Sequence, residues 1–484
     1  EWPAMYNEVF ERARKARDPR FDGRFFIGVR TTGIYCRPIC PATTPKRENI
    51  DFFLSAAAAS EAGLRPCLRC RPECAPGTPA WAGTSTTVRR GLRLIDGGAL
   101  DHGDVEALAE RLGITSRHLR RLFTMHLGAS PLAIAHTRRL HFAKRLIDDT
   151  ALPMNHIAIA AGYGSVRRFN DAFRKTYNRA PRDLRRMKLE PTVASASLTV
   201  RLQYREPYRW NDVLGFYGLR ATPGVESIES GCYRRTLMIS GKPALIEVRA
   251  DEKPGALLLT LTDVAAEHLF KIVQKTREVF DLDAPTHDIA EALGKDQRLR
   301  GLLKHQPGVR VPGAWNGFEL AVRAVLGQQI SVRAATTLAG RIAERYGTPL
   351  KKPLHGLTHL FPTPAQLRRV RFNNIGLVKS RAQTLRDLAA AVDDGDITFD
   401  PLQDEQSFCE RFCEIRGIGD WTAQYVLMRA LKNPDALPTG DLGLIKALYP
   451  DRRATPAELQ SHSEDWRPWR AYAAMLLWGA APGG

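Results

Sequence analysis

Two sets of residues in this chain have the types and spacing to do chemistry. The first is a set of cysteines. Cys36 and Cys40 form one close pair, Cys67 and Cys70 another, and 26 residues separate the pairs. Four thiolates in two such pairs suit a tetrahedral zinc ion, as a reactive centre or a purely structural knot. They would also fit four buried cysteines with no metal. The second set lies in Phe412-Cys-Glu-Ile-Arg-Gly-Ile-Gly-Asp-Trp-Thr-Ala-Gln-Tyr425, an apolar helical run, and then Leu437-Pro438-Thr439-Gly440-Asp441. Gly417 and Gly419 flank Ile418 between two helical patterns. Glycines there let the chain turn tightly and leave bare N–H groups at the start of the next helix, which seat a phosphate. Asp441, after a Pro and a Gly, stands where another helix can begin.

The elements that hold these residues belong to several domains. The chain has 484 residues, too many for one core, and two to four domains are expected. It carries 71 Lys and Arg against 52 Asp and Glu, a net charge of +19. That balance favours a polyanionic partner, nucleic acid above all, although charge alone does not separate DNA from RNA or an acidic membrane. No stretch approaches the ~20 apolar residues that span a bilayer. No signal-peptide pattern opens the sequence, and a cytoplasmic protein is expected. Five of the eight cysteines fall before residue 78, which reads as metal binding before disulfide bonding.

Between the two chemical sets lies a helical region, after a Gly-, Pro-, Ser- and Thr-rich linker from Thr78 to Thr87. Val105 to Phe123 has apolar residues at three- and four-residue spacing, broken at Gly113, with Thr115 or Ser116 placed to cap the second helix. That is a helix-turn-helix. A second runs from Met154 to Ala161, turns at Gly162-Tyr163, and continues from Ser165 to Phe173. Arg138 to Ile147 is the helix joining them. Residues 79–195 hold 20 basic and 10 acidic side chains, the most basic part of the chain, which supports a grip on DNA. Arg117, Arg120, Arg121, Arg167 and Arg168 are the candidates for contact, with phosphate more often than with base edges.

Beyond a second linker, Leu189 to Ser197, the pattern alternates. Strands are expected from Leu198, over Leu237 to Val248, and over Ala256 to Thr262. Helices then dominate to the end.

Three resemblances follow from these motifs. Val29-Arg30-Thr31-Thr32-Gly33-Ile34-Tyr35-Cys36-Arg37-Pro38-x-Cys40 with Arg65-Pro66-Cys67-x-x-Cys70 resembles the Ada-type methylphosphotriester repair domain. The resemblance implies that Cys36 irreversibly takes a methyl group from a damaged DNA phosphate, and that Thr32 and Arg65 face the DNA. Zinc holds the sulfur as thiolate at neutral pH. Methylation would remove one negative charge from the cluster and ease its approach to DNA. The stretch after Cys40 lacks the family's basic residues, with Lys46 and Arg47 as substitutes; Cys74 reads as a bystander. The tandem helical units and Phe173-Arg-Lys-x-Tyr-x-x-x-Pro181 resemble the AraC-type regulator domain. Leu198 to Trp478 resembles the AlkA-type alkyladenine glycosylases, a helix-hairpin-helix family, through Tyr208-x-Trp210, Leu214-Gly215-Phe216, Gln328-Gln329-Ile-Ser-Val, the Gly417/Gly419 hairpin and Trp466 to Trp478.

The glycosylase resemblance names Asp441 as the catalytic carboxylate and Trp421, Tyr425 and Trp478 as the base pocket. A purine alkylated at N3 or N7 is cationic, and an electron-rich aromatic pocket attracts it once it is flipped from the stack. Positive charge then builds on the sugar, and a carboxylate beside it stabilises that charge. Gln329 takes the place of the family's apolar wedge. Trp421 stands where strand-cutting relatives carry a Schiff-base Lys, which implies a monofunctional enzyme. No Pro-Cys-His-Arg motif of O6-methylguanine transferases is present, and no cysteine follows Cys413 to hold an iron–sulfur cluster.

The expected architecture is multidomain. A small zinc-bound α/β domain (1–78) precedes an all-α tandem helix-turn-helix domain (82–188). A glycosylase α/β subdomain (196–285) then precedes a mostly α helix-hairpin-helix domain (286–484). The expected cofactor is zinc. The expected partners are alkylated double-stranded DNA and promoter DNA, with RNA polymerase a further candidate; the expected state is a monomer without membrane contact. Two alternatives remain at this point: a regulator whose glycosylase half only binds DNA, and a glycosylase with a purely structural zinc domain.

Overall fold

The computed structural model describes residues 4–75, 86–101, 103–185, 197–400 and 403–480. Both expected linkers lie outside the described residues except at their last positions. The chain packs as two compact units, Glu1–Arg205 with Val264–Gln274, and Glu206–Asp263 with Lys275–Gly484.

The first unit opens with α1 (Ala4–Ala16), β1 (Phe26–Val29), β2 (Ile34–Cys36), β3 (Ile50–Phe53), α2 (Ala56–Glu61) and β4 (Arg65–Pro66). The strands form one sheet in the order β3-β1-β2-β4. Successive side chains of a strand point to opposite faces. Ile27 therefore packs with Phe10 and Ala13 of α1, while Phe26 packs with Tyr35 and with Ala56 and Ala59 of α2. A helix on each face leaves both rows of β1 buried. β2 lies antiparallel to β1 and parallel to β4, so Cys36 stands opposite Ile27 on one side and Tyr35 opposite Pro66 on the other.

Six helices follow: α3 (Thr86–Asp96), α4 (Val105–Arg111), α5 (Ser116–Leu127), α6 (Pro131–Asp149), α7 (Met154–Ala160) and α8 (Val166–Tyr177). The two helix-turn-helix pairs are α4–α5 and α7–α8. Thr115 and Ser165 cap the second helix of each, accepting from the backbone N–H of His118 and Arg168. Gly113 and Gly162 make the turns at φ of 70° and 75°. Leu119, Phe123 and Leu127 form the buried stripe of α5; Phe169, Phe173 and Tyr177 form that of α8. The joining helix starts at Pro131 instead of Arg138. Ser130 caps it and Pro131 pre-sets its first turn, a start signal upstream of the expected boundary.

The zinc and helix-turn-helix segments share one core. Ser55 Oγ donates to the Leu127 carbonyl at 2.7 Å. The Tyr35 hydroxyl and His141 Nε2 are 3.0 Å apart. Burial, helped by the charges of Arg145 and Lys144, pushes the His141 pKa down to about 3, so the ring that shares this hydrogen bond is neutral. Buried Lys144 pairs with Asp148 and Glu73, and Arg71, next to Cys70, pairs with Asp148 at 2.8 Å. β5 (Ser197–Gln203) also falls in this unit.

The second unit begins with α9 (Trp210–Gly218) and an antiparallel meander: β6 (Glu226–Glu229), β7 (Cys232–Ile239), β8 (Lys242–Ala250) and β9 (Ala256–Thr262). The single strand expected over Leu237 to Val248 is two strands. Ser240 and Gly241, at φ of 47° and 78°, form a two-residue hairpin turn between them. Two positive φ angles in a row match the right-handed twist of the flanking strands. α10 (Leu269–Val279) is divided between the units, its residues to Gln274 belonging to the first. α11 (Thr286–Leu293), α12 (Gln297–His305), α13 (Gly317–Leu326) and α14 (Val332–Tyr346) follow in the second. A hairpin that the periodicity did not announce, β10 (Thr348–Leu354) with β11 (Leu357–Leu360), interrupts the helices. The remainder is α15 (Pro364–Leu367), α16 (Lys379–Asp393), α17 (Glu405–Glu414), α18 (Asp420–Arg429), α19 (Leu442–Leu448), α20 (Pro456–His462) and α21 (Arg470–Ala480). α13 is buried along nearly its whole length and packs against α14, α16 and α18, which makes it the axis of the helical core. Among the described residues no helix is long and apolar enough to cross a membrane.

Candidate functional sites

The four cysteines converge. The Sγ atoms of Cys36, Cys40, Cys67 and Cys70 lie within 4.8 Å of one another, with Cys67 and Cys70 buried and the other two half-buried. Contact with the sulfurs of Cys40, Cys67 and Cys70 pushes the Cys36 thiol up, while contact with Cys36, Cys40 and Cys70 pulls Cys67 down. Sulfurs this close cannot all ionise unless a cation sits among them, and four thiolates are the donor set of zinc. They form a zinc site, and zinc bound there keeps the thiols ionised at neutral pH. Arg37 ties the two cysteine pairs together. Its backbone N–H points at Cys70 Sγ at 3.4 Å, its guanidinium reaches the Cys70 carbonyl at 3.1 Å, and it pairs with Asp22.

Thr32 and Arg65 are exposed and flank the start of β2, where the Arg65 N–H donates to the Gly33 carbonyl at 2.9 Å. Both suggested basic substitutes, Lys46 and Arg47, are exposed, and Arg47 also lies over the Phe52 ring at 4.9 Å. Cys74 stands outside the cluster, buried, its pKa raised to about 11 by burial and by Glu73.

Arg117, Arg120 and Arg121 on α5, and Arg167 and Arg168 on α8, are all exposed at the starts of the second helices. Arg120 is already paired, with Glu106 of α4 at 3.0 Å, and Arg121 meets His118 at 3.2 Å.

The second unit gathers the other expected residues. Asp441 caps α19: its Oδ1 accepts the Leu444 N–H at 2.9 Å. Its Oδ2 accepts the Trp421 indole N–H at 2.8 Å. Trp421 and Tyr425, one turn apart on α18, stack face to face, with ring centres 5.2 Å apart and planes 8° from parallel. Trp478 of α21 meets Tyr425 edge-on at 6.2 Å. Carboxylate and aromatic wall are thus one connected group.

The two hairpin glycines are not equivalent. Gly417 has φ of 92°, and a Cβ there would fall 2.3 Å from Thr384 Oγ1. Gly419 is extended, caps α18 without a side chain, and has open space in front of it. Only Gly417 needs to be glycine for conformational reasons; Gly419 leaves the helix start bare. Gln329 is exposed at φ of 57°, at the tip of the loop after α13.

Several supporting residues escaped the sequence reading. Gln328 Nε2 donates to the Gly417 carbonyl at 2.9 Å and to Thr422 Oγ1 at 3.0 Å, bracing the hairpin against the Gln329 loop. Arg381 holds that loop through the Gln328 carbonyl at 2.6 Å. Thr384 donates to the Arg416 carbonyl at 2.8 Å. Arg429 donates to the Tyr425 hydroxyl; its place one turn after Tyr425 was the available signal.

The chain is 40% identical over 474 residues to the "Probable bifunctional transcriptional activator/DNA repair enzyme AlkA" of Mycobacterium tuberculosis, an alignment covering 96% of this chain and 95% of the relative. This chain belongs to that family. The three parts of a bifunctional activator and repair enzyme each have a counterpart here. The family model described as the metal binding domain of Ada matches residues 10–73, a helix-turn-helix domain matches 108–187, and the AlkA N-terminal domain matches 199–316. The "DNA-3-methyladenine glycosylase 2" of Escherichia coli is 32% identical over 284 residues, 57% of this chain and 95% of that protein. Escherichia coli Ada, a "Bifunctional transcriptional activator/DNA repair enzyme", is 40% identical over 136 residues, covering 28% of this chain and 36% of Ada. A solved 3-methyladenine DNA-glycosylase from Archaeoglobus fulgidus matches with a TM-score of 0.52 at 21% identity, over 57% of this chain and 96% of that one, a likeness of fold.

Proposed function

We propose that this protein both repairs alkylated DNA and signals its presence. Cys36 Sγ attacks the methyl carbon of a DNA methylphosphotriester. The S–C bond forms, the C–O bond breaks, and the electron pair stays on the phosphate oxygen. Thr32 and Arg65, on the exposed edge beside β2, hold the backbone. The exposed arginines of α5 and α8 grip promoter DNA, where the protein activates transcription through RNA polymerase.

The glycosylase half takes a flipped, alkylated purine such as 3-methyladenine against Trp421, Tyr425 and Trp478. Gly417 and Gly419 seat a phosphate at the start of α18, and Gln329 fills the gap in the duplex. Asp441, fixed by Trp421 and the Leu444 N–H, faces the sugar as the base leaves and water adds to the anomeric carbon. With Trp421 in place of a Schiff-base Lys, the enzyme is monofunctional. The segments are 1–78, 82–188, 196–285 and 286–484, working as a monomer in the cytoplasm.

The observation that carries the reading is the 2.8 Å hydrogen bond from Trp421 to Asp441, which couples carboxylate and aromatic wall in one site. The test is DNA treated with a methylating agent. The protein should release free 3-methyladenine and gain one methyl mass on the peptide holding Cys36. Release of no base, or a methyl on Cys40, Cys67 or Cys70 instead, overturns the corresponding half.

A further inference from the structure

Three arginines surround the pocket tyrosine without a carboxylate among them. Arg429 of α18 is buried and donates to the Tyr425 hydroxyl, to the Pro312 carbonyl at 2.8 Å and to the Gly313 carbonyl at 3.1 Å. Its guanidinium lies over the Tyr425 ring at 5.2 Å and over Phe216 at 4.8 Å. Arg220, just after α9, lies over the same Phe216 ring at 4.0 Å. Arg323 of α13 spends its donors on Thr222 and Thr336. Among the described residues none of the three has a carboxylate within 4.0 Å.

Guanidiniums with no carboxylate in contact, beside a pocket for a cationic base, would repel the substrate. The hydrogen bonding of Tyr425 points to the remedy. Tyr208 and Tyr217 donate to backbone carbonyls, and Tyr233 and Tyr472 to carboxylates, all in the same unit. Tyr425 differs: its hydroxyl accepts from the Arg429 guanidinium. An oxygen that accepts from a guanidinium, with no carboxylate in contact with that cation, is placed as a phenolate is placed.

We infer that Tyr425 works as an anionic wall of the base pocket, held as phenolate by Arg429 and Arg220, and that this charge selects positively charged bases over neutral ones. Burial pushes the hydroxyl's pKa up, but the charges of Arg429, Arg220 and Arg323 and the Arg429 hydrogen bond outweigh it, leaving the group below the ordinary tyrosine value. Asp441 meets Trp421, the other ring of the stack. Glu226 and Glu319 pair with Arg235 and also act on Arg323, ahead of Tyr425, so Arg429 and Arg220 are the cations left to Tyr425. Arg429 acts through Tyr425 and is a positioning residue.

The inference rests on the glycosylase reading and is tested on the full chain. One measurement is the tyrosinate ultraviolet difference band against pH, compared with Tyr425→Phe. The other is single-turnover excision of 3-methyladenine, a cation in DNA, against hypoxanthine, a neutral base, between about pH 6 and 9. Asp441 serves both substrates, so its contribution cancels in their ratio. The ratio should rise with pH along the tyrosinate band. In Tyr425→Phe it should be flat and about tenfold lower at the upper end. Arg429→Met should move band and ratio together by about one pH unit upward, and Arg429→Lys, which keeps the charge, should restore them. A ratio independent of pH in the unmutated protein, or one rising equally in Tyr425→Phe, overturns the inference while leaving excision in place. Release of neither base, with the band present, sinks the glycosylase reading instead.

Discussion

Asp441 does two jobs with two oxygens. Oδ1 holds the start of α19 and Oδ2 holds Trp421. Substitution by Asn keeps the size and removes the charge. It also leaves one oxygen for two donors, so an amide NH2 faces either the Leu444 N–H or the indole N–H. That mismatch costs about 1 kcal/mol of stability, a tolerable loss for a domain. The lost charge costs more in rate. If the carboxylate offsets an oxocarbenium-like cation, losing roughly 3 kcal/mol slows excision about a hundredfold or more. Asp441→Asn should therefore fold, bind alkylated DNA and release 3-methyladenine at no more than about one-hundredth of the normal rate. Borohydride should trap no covalent adduct with the unmutated protein, because Trp421 offers no amine. Near-normal release by the Asn variant would place the chemistry on another group.

At the scale of the element, the α17–α18 hairpin separates two glycines that look alike in sequence. Gly417→Ala combines a left-handed φ with a Cβ thrust against Thr384, which itself anchors the Arg416 carbonyl. A cost of about 1–3 kcal/mol and a lower melting temperature are expected. Gly419→Ala meets open space at an ordinary φ and should change stability by less than about 1 kcal/mol. A thermal melt of both variants checks this; equal losses would mean that the hairpin does not depend on the turn at Gly417. The hairpin was legible in the sequence because its signals are local: two glycines, a capping position and an apolar run. The turns at Gly113 and Gly162 and the caps at Thr115 and Ser165 were legible for the same reason. The hairpin turn at Ser240-Gly241 is equally local, yet the apolar residues on both sides masked it. The brace from Gln328 to Gly417 crosses 89 residues, and the arginines around Tyr425 come from three separate stretches of the chain. No periodicity encodes contacts of that kind; they exist only once α13 and α18 are packed together.

At the scale of the molecule, the chemistry at Cys36 has a route to DNA affinity. Four thiolates around a zinc ion carry two negative charges, and methylation of one sulfur leaves a single negative charge. Thr32 and Arg65, close in sequence to Cys36 and Cys67, are exposed, in a chain whose net charge is +19. The zinc segment does not hang free of the helix-turn-helix segment. Tyr35, the residue before Cys36, reaches His141 of α6, and Arg71, the residue after Cys70, reaches Asp148 of the same helix. The zinc segment and the arginines of α5 and α8 thus belong to one compact unit. Full-length protein methylated at Cys36 should bind duplex DNA several-fold more tightly than the unmethylated form at low salt, a gain of about 1 kcal/mol for one charge near the backbone. The gap should narrow as salt rises, because the Debye length falls to about 8 Å at physiological ionic strength and less beyond it. Removing zinc with a chelator should abolish the difference and loosen the first 78 residues, whose small sheet depends on the site. A salt titration of both forms decides the matter: equal affinities at every salt concentration would mean that the lost charge is not what signals damage.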